Sequence, residues 1–170
     1  MGYNGPAFET KRVLWNERVE MPVRETVDSI QVSIGTAGVL GLASVVMEAA
    51  PTTAYLMLGG RCLMNCAFCT QARGSQASTE RLSRVTWPAF RLDQVSTALV
   101  SAVERGTIRR VCLQVTFGDD AFRQGLAVLE AVRAVCVVPF DVAILPRDLH
   151  EVRRLVEAGA DHIGFGLDAA

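Results

Sequence analysis

At 170 residues, half of them hydrophobic and 21% charged, the chain is long enough for one compact domain with a single core. A formal net charge of -1 gives no global basic field of the kind that nucleic acid selects. The longest apolar stretch, Val39 to Met47, is too short to span a bilayer, and Glu9, Lys11 and Arg12 stand where an export signal would carry its apolar run. Lys11 is the only lysine, which reads as codon bias rather than as a function for arginine.

Residues 1–52 read as a lead-in segment. Tyr3 to Pro6 has the look of a loop, Val27 to Ile34 alternates apolar and polar in the manner of a strand, and Gly35, Gly38 and Gly41 interrupt that pattern. From residue 53 the pattern is regular. Ala54 to Leu58 is a short apolar run ending at Gly59 and Gly60, a buried strand followed by a loop. Leu92, Val95, Ala98, Leu99, Ala102 and Val103 recur at helical spacing and Gly106 follows as a cap.

Ile108 to Phe117 predicts a second strand, and Phe122, Leu126, Leu129 and Val132 mark a second amphipathic helix. Val137 to Leu145 holds a third strand. Asp148 then caps a helix whose apolar face is Leu149, Val152, Leu155 and Val156, closed by Gly159. Asp161 to Leu167 predicts the fourth strand. Strands that alternate with helices imply right-handed crossovers and a parallel sheet, and units of about 30 residues match the repeat of a β/α barrel. The expected fold is therefore α/β, a partial (β/α) barrel of about four units. Ligands in such folds bind at the carboxyl ends of the strands, where Cys62, Cys66, Cys69 and Asp168 all fall. A sheet ending after the fourth strand keeps an open edge, so the expectation is a fragment of a longer protein or a partner chain covering that edge.

Five cysteines is an odd count, and three of them, Cys62, Cys66 and Cys69, lie within eight residues. A disulfide scaffold would pair its cysteines and spread them, so the pattern suits a reducing, cytoplasmic setting. Thiolates are soft ligands that favour iron–sulfur clusters and zinc. A structural zinc needs four protein ligands, and the candidates for a fourth, Cys112, Cys136, His150 and His162, are scattered over later elements. Three thiolates on a four-iron cluster instead leave one iron open to a small molecule. A non-catalytic zinc module remains the alternative reading.

The spacing Cys-x3-Cys-x2-Cys after the first strand of a β/α barrel resembles the radical S-adenosylmethionine superfamily. Cys66-Ala67-Phe68-Cys69-Thr70-Gln71 is similar to the Cys-x-Tyr-Cys-Pro-Gln of its biotin synthase-like branch, and Gly166-Leu167-Asp168 resembles that branch's Asn-Leu-Asp. The resemblance covers residues 53–170, which it marks as a partial radical SAM core. It implies that Cys62, Cys66 and Cys69 bind a [4Fe–4S] cluster and that S-adenosylmethionine chelates the remaining iron. Reductive cleavage would then release a 5′-deoxyadenosyl radical that takes hydrogen from a small-molecule substrate. The same resemblance implies an electron donor such as flavodoxin or ferredoxin, Phe68 beside the adenine and Asp168 at the ribose hydroxyls. Where many members carry Gly-Gly-Glu near the methionine amino group, this chain reads Leu113-Gln114-Val115-Thr116, so the Gln114 amide or backbone carbonyls are the candidates to accept that bond.

Other residues draw plainer readings. Cys112 and Cys136 are expected as small buried hydrophobes, and His150 and His162 receive no role. Five arginines and one acid, Glu80, lie between residues 61 and 91, a run that faces solvent or attracts a carboxylate.

Overall fold

The structure, a computed structural model, describes residues 26–166. The loop expected at Tyr3 to Pro6, and Asp168, lie outside the described residues. Eight strands and four helices are described in chain order. They are β1 (Ser29–Val32), α1 (Ile34–Val39), β2 (Thr53–Leu58), β3 (Arg81–Leu82), β4 (Val85–Thr86), β5 (Ala89–Arg91) and α2 (Leu92–Glu104). There follow β6 (Arg110–Val115), α3 (Ala121–Arg133), β7 (Phe140–Ala143), α4 (Leu149–Glu157) and β8 (His162–Gly164).

Six strands form one mixed sheet in the order β5-β1-β2-β6-β7-β8, and β3 with β4 forms a separate hairpin. The parallel part is β2, β6, β7 and β8, each beside the one before it. Every crossover therefore steps the same way. Right-handed crossovers that step one way set α2, α3 and α4 on one face of the sheet. Their apolar sides share a single core with that face: Leu56, Leu113, Phe140 and Val142 from strands meet Val95, Leu99, Leu129 and Leu155 from helices.

Two strands add to this pattern on the β2 side. β1 runs antiparallel to β2, and β5 antiparallel to β1. The alternation at 27–34 thus forms a sheet strand hydrogen-bonded to the first strand of the regular region. Immediately after it, the glycine-bearing stretch that breaks the alternation winds into α1. Ser33 Oγ accepts the Thr36 N–H at 3.4 Å there, and Thr36 Oγ1 accepts the Tyr55 N–H at 3.0 Å, which fastens α1 to β2.

Helix ends follow the sequence cues. Gly106 and Gly159 take positive φ after α2 and α4, and in each case the next residue's N–H reaches back to the helix, Thr107 to Ala102 at 3.0 Å and Ala160 to Leu155 at 2.9 Å. Asp148 Oδ1 caps the Glu151 N–H at 2.9 Å, while Glu151 Oε2 accepts from the Arg147 N–H at 2.7 Å. That inward-turned Glu151 sets the rotation of α4. Leu155 is buried one turn on, and Leu149 and Val156, expected on the apolar face, are exposed.

Alternate strand residues point to the second face. Tyr55, Cys112, Asp141 and His162 stand in register across β2, β6, β7 and β8. Arg110 donates to Asp141 Oδ1 at 2.6 Å, and His162 Nδ1 lies 2.9 Å from the same oxygen. This face is polar where the helix face is apolar. Among the described residues no helix is long and apolar enough to cross a membrane.

Candidate metal centre

At the carboxyl end of β2 the chain makes a turn that only glycine fits. Gly59 has φ +100°, and a Cβ there would lie 2.0 Å from Thr116 Oγ1. Thr116 holds that position by donating its N–H to Leu58 O at 3.0 Å. The turn sends residues 60–78 off the end of the sheet, past the carboxyl end of β6.

The cysteines sit on this loop, and main-chain bonds shape it. Cys62 N–H donates to Gln71 O and Arg73 N–H to Met64 O, both at 2.8 Å, so the two limbs run side by side. Between the limbs, Cys69 N–H donates to Cys66 O at 3.1 Å and closes a tight turn. Leu63 N–H donates to Phe117 O at 2.8 Å and fastens the first limb to the end of β6. Asn65 Oδ1 accepts the Gly74 N–H at 2.8 Å. Met64 N–H points at Cys62 Sγ at 3.4 Å, a donor aimed at sulfur.

All three thiols are free and half-buried. As a donor set they fit an iron–sulfur cluster: soft, on one loop, and none engaged in a disulfide. Among the described residues no three histidine, cysteine, aspartate or glutamate side chains gather closely enough to hold a metal ion. A single tetrahedral zinc at about 2.3 Å from each sulfur needs its four donors within about 4 Å of one another. Among the described residues the loop therefore matches the group in the chemistry of its donors alone.

The remaining residues named from the sequence fall as follows. Phe68 is 73% exposed, so it fills no core and stands beside Cys69 facing solvent. Gln114 lies on β6 between Met57 and Ala143 in register, on the polar face, half-buried. None of the scattered zinc candidates joins the loop in a metal-holding group. Cys136 follows α3 and His162 begins β8, both at the opposite end of the strands. His150 is in the exposed first turn of α4. Cys136 is buried, whereas Cys112 is half-buried. Burial pushes both thiols up, Asp141 adding to the effect at Cys112.

The sequence placed Arg61 only in a run that faces solvent or attracts a carboxylate, and gave Thr70 no task of its own; both frame the loop. Arg61 Nη1 donates to Thr70 O at 2.8 Å and Nη2 to Ala77 O at 2.7 Å, while Thr70 Oγ1 donates to Arg81 O at 2.6 Å. A guanidinium beside a cysteine motif gave a charge signal only; its main-chain partners depend on the path of the loop. No protein-family model matches the chain, and no curated protein or solved structure matches it either.

Proposed function

We infer that this chain is a radical S-adenosylmethionine protein, with Cys62, Cys66 and Cys69 holding three irons of a [4Fe–4S] cluster and the fourth iron open to the cofactor. The single observation that carries the reading is the placement of three free thiols on one loop, at the carboxyl end of the first parallel strand. The one-way order β2-β6-β7-β8, with its helices on one face, supports a partial (β/α) barrel rather than a doubly wound sheet.

When bound, such a cluster supplies the electron that cleaves a sulfonium. The protein's own groups have simpler tasks. Gly59 turns the loop over the strand ends, and the Leu63–Phe117 bond keeps it there. Phe68 offers an exposed ring for a planar base. Gln114, on the polar face, offers an amide to a polar cofactor end. The substrate is a small molecule bound over that face, and a reducing compartment with a one-electron donor completes the reading.

The test is anaerobic reconstitution with iron and sulfide. The expected product is brown, holds about four irons per chain, and after reduction gives an electron paramagnetic resonance signal that changes when S-adenosylmethionine is added. Cys66→Ser lowers the iron content sharply. A colourless protein with about one zinc per chain and no acid-labile sulfide would overturn the reading in favour of a zinc module.

A further inference from the structure

The hairpin of β3 and β4 packs back against the cysteine loop, joined to it by the side chains of Thr70 and Gln71. Gln71 is 2% exposed, a polar group taken out of water two residues after Cys69. A side chain so buried needs partners for its amide protons, and it has two. Nε2 donates to Thr79 O at 2.8 Å and to Arg81 O at 2.9 Å. Each carbonyl also accepts a second bond: Gln31 Nε2 reaches Thr79 O at 3.2 Å, and Thr70 Oγ1 reaches Arg81 O at 2.6 Å. Through Thr79 the network extends to β1, since Gln31 is on that strand and also donates to Trp87 O at 3.1 Å.

Gln71 is held from its main chain as well. Its carbonyl accepts the Cys62 N–H at 2.8 Å. One residue thus connects Cys62 through its backbone, Cys69 through two peptide units, and the hairpin through its side chain. We propose that Gln71 is a positioning residue for the cysteine loop, fixing Cys62 and Cys69 relative to the sheet before any metal arrives. This deepens the metal reading and rests on it for its functional meaning. An ordered loop loses less conformational freedom when it closes on a metal than a slack one does.

Two features make the proposal testable without unfolding the chain. Replacing Gln71 with Leu leaves Thr79 O bonded to Gln31 and Arg81 O bonded to Thr70, so neither carbonyl is orphaned. Cys136, buried on the far side, reports on the core independently.

The experiment uses the full chain, metal-free and reduced, with iodoacetamide labelling read residue by residue in a mass spectrometer. In Gln71→Leu, labelling of Cys62 and Cys69 rises about thirtyfold, the factor that loss of two buried hydrogen bonds corresponds to, and Cys136 stays at its wild-type rate. Reconstituted with iron and sulfide, the same variant holds less iron than the wild type at limiting iron. Wild-type labelling rates at Cys62 and Cys69 overturn the proposal. Should Cys136 become reactive too, Gln71→Met, closer to the amide in shape, takes the variant's place. It removes only the bonds to Thr79 and Arg81, and unchanged labelling of Cys62 and Cys69 there is equally fatal. A wild-type chain that takes up no iron defeats the metal reading instead, and the labelling result still decides the role of Gln71.

Discussion

The helix-covered face of the sheet buries Leu56, Leu113, Phe140 and Val142 against three helices, while the cysteine loop buries Gln71 and leaves Leu63 and Phe68 to solvent. The first region is held by water exclusion, which is non-directional and sums over many side chains. The second is held by a few directed bonds, such as those of Arg61 and Gln71 to main-chain oxygens. The contrast has a mechanical consequence. A loop resting on a few hydrogen bonds opens at lower cost than the core.

The largest effect comes from breaking the apolar side. Phe140 is fully buried, so Phe140→Ala costs about 3–5 kcal/mol in urea unfolding, and the labelling of Cys136 rises along with that of the loop cysteines. Equal labelling of Cys136 in variant and wild type would separate its site from the main core. Next comes the join between the regions. Gly59→Ala forces a Cβ against Thr116 Oγ1 at positive φ, and costs about 1–3 kcal/mol of backbone strain before any shift of Thr116. Its expected signature is raised labelling at Cys62 with a fall in stability smaller than that of Phe140→Ala. A larger fall would mean that the loop and the core unfold as one unit.

The smallest effect sharpens the comparison within the core side, where a charged group does the joining. Asp161 accepts the Phe140 N–H at 2.7 Å and pairs with Arg133, whose guanidinium also donates to Val138 O at 2.6 Å and to Gly159 O. The Phe140 N–H, then the Arg133 guanidinium, hold the Asp161 carboxyl below the usual carboxylate value. A depressed folded value means that Asp161 contributes stability above the unfolded value of about 3.9, and that this is lost as pH falls through the folded one. Thermal melts of Asp161→Asn should therefore show a weaker fall in Tm below about pH 4. Because the Asp161 side chain is 46% exposed, solvent screening keeps the effect small. Identical acid profiles for variant and wild type would remove Asp161 from the account.

Legibility followed the same division. The run Thr53–Leu58, the helical spacing of Leu92 to Ala102 and the Asp148 cap could be read directly, because burial against one face imposes a period on the residues. The hairpin was not legible. Its turn places Ser83 and Arg84 at φ 50° and 65°, a conformation usually announced by Asn or Gly, and neither residue signals it. β5 was hidden for another reason: it is three residues long and runs straight into α2. In α4, Leu149 and Val156 looked like core, yet Glu151 took the inward position by capping.

The amino-acid sequence alone determined the alternation of strands and helices and the grouping of three thiols after the first regular strand, since periodicity and spacing are local properties of the chain. Only the tertiary structure decided that β1 and β5 extend the sheet antiparallel, that Gly59 must yield to Thr116, and that Gln71 ties Cys62 to the hairpin. The strand partners and the Gly59–Thr116 pair lie tens of residues apart, and even the carbonyls that the Gln71 amide finds eight and ten residues on are set by the path of the loop rather than by a local pattern.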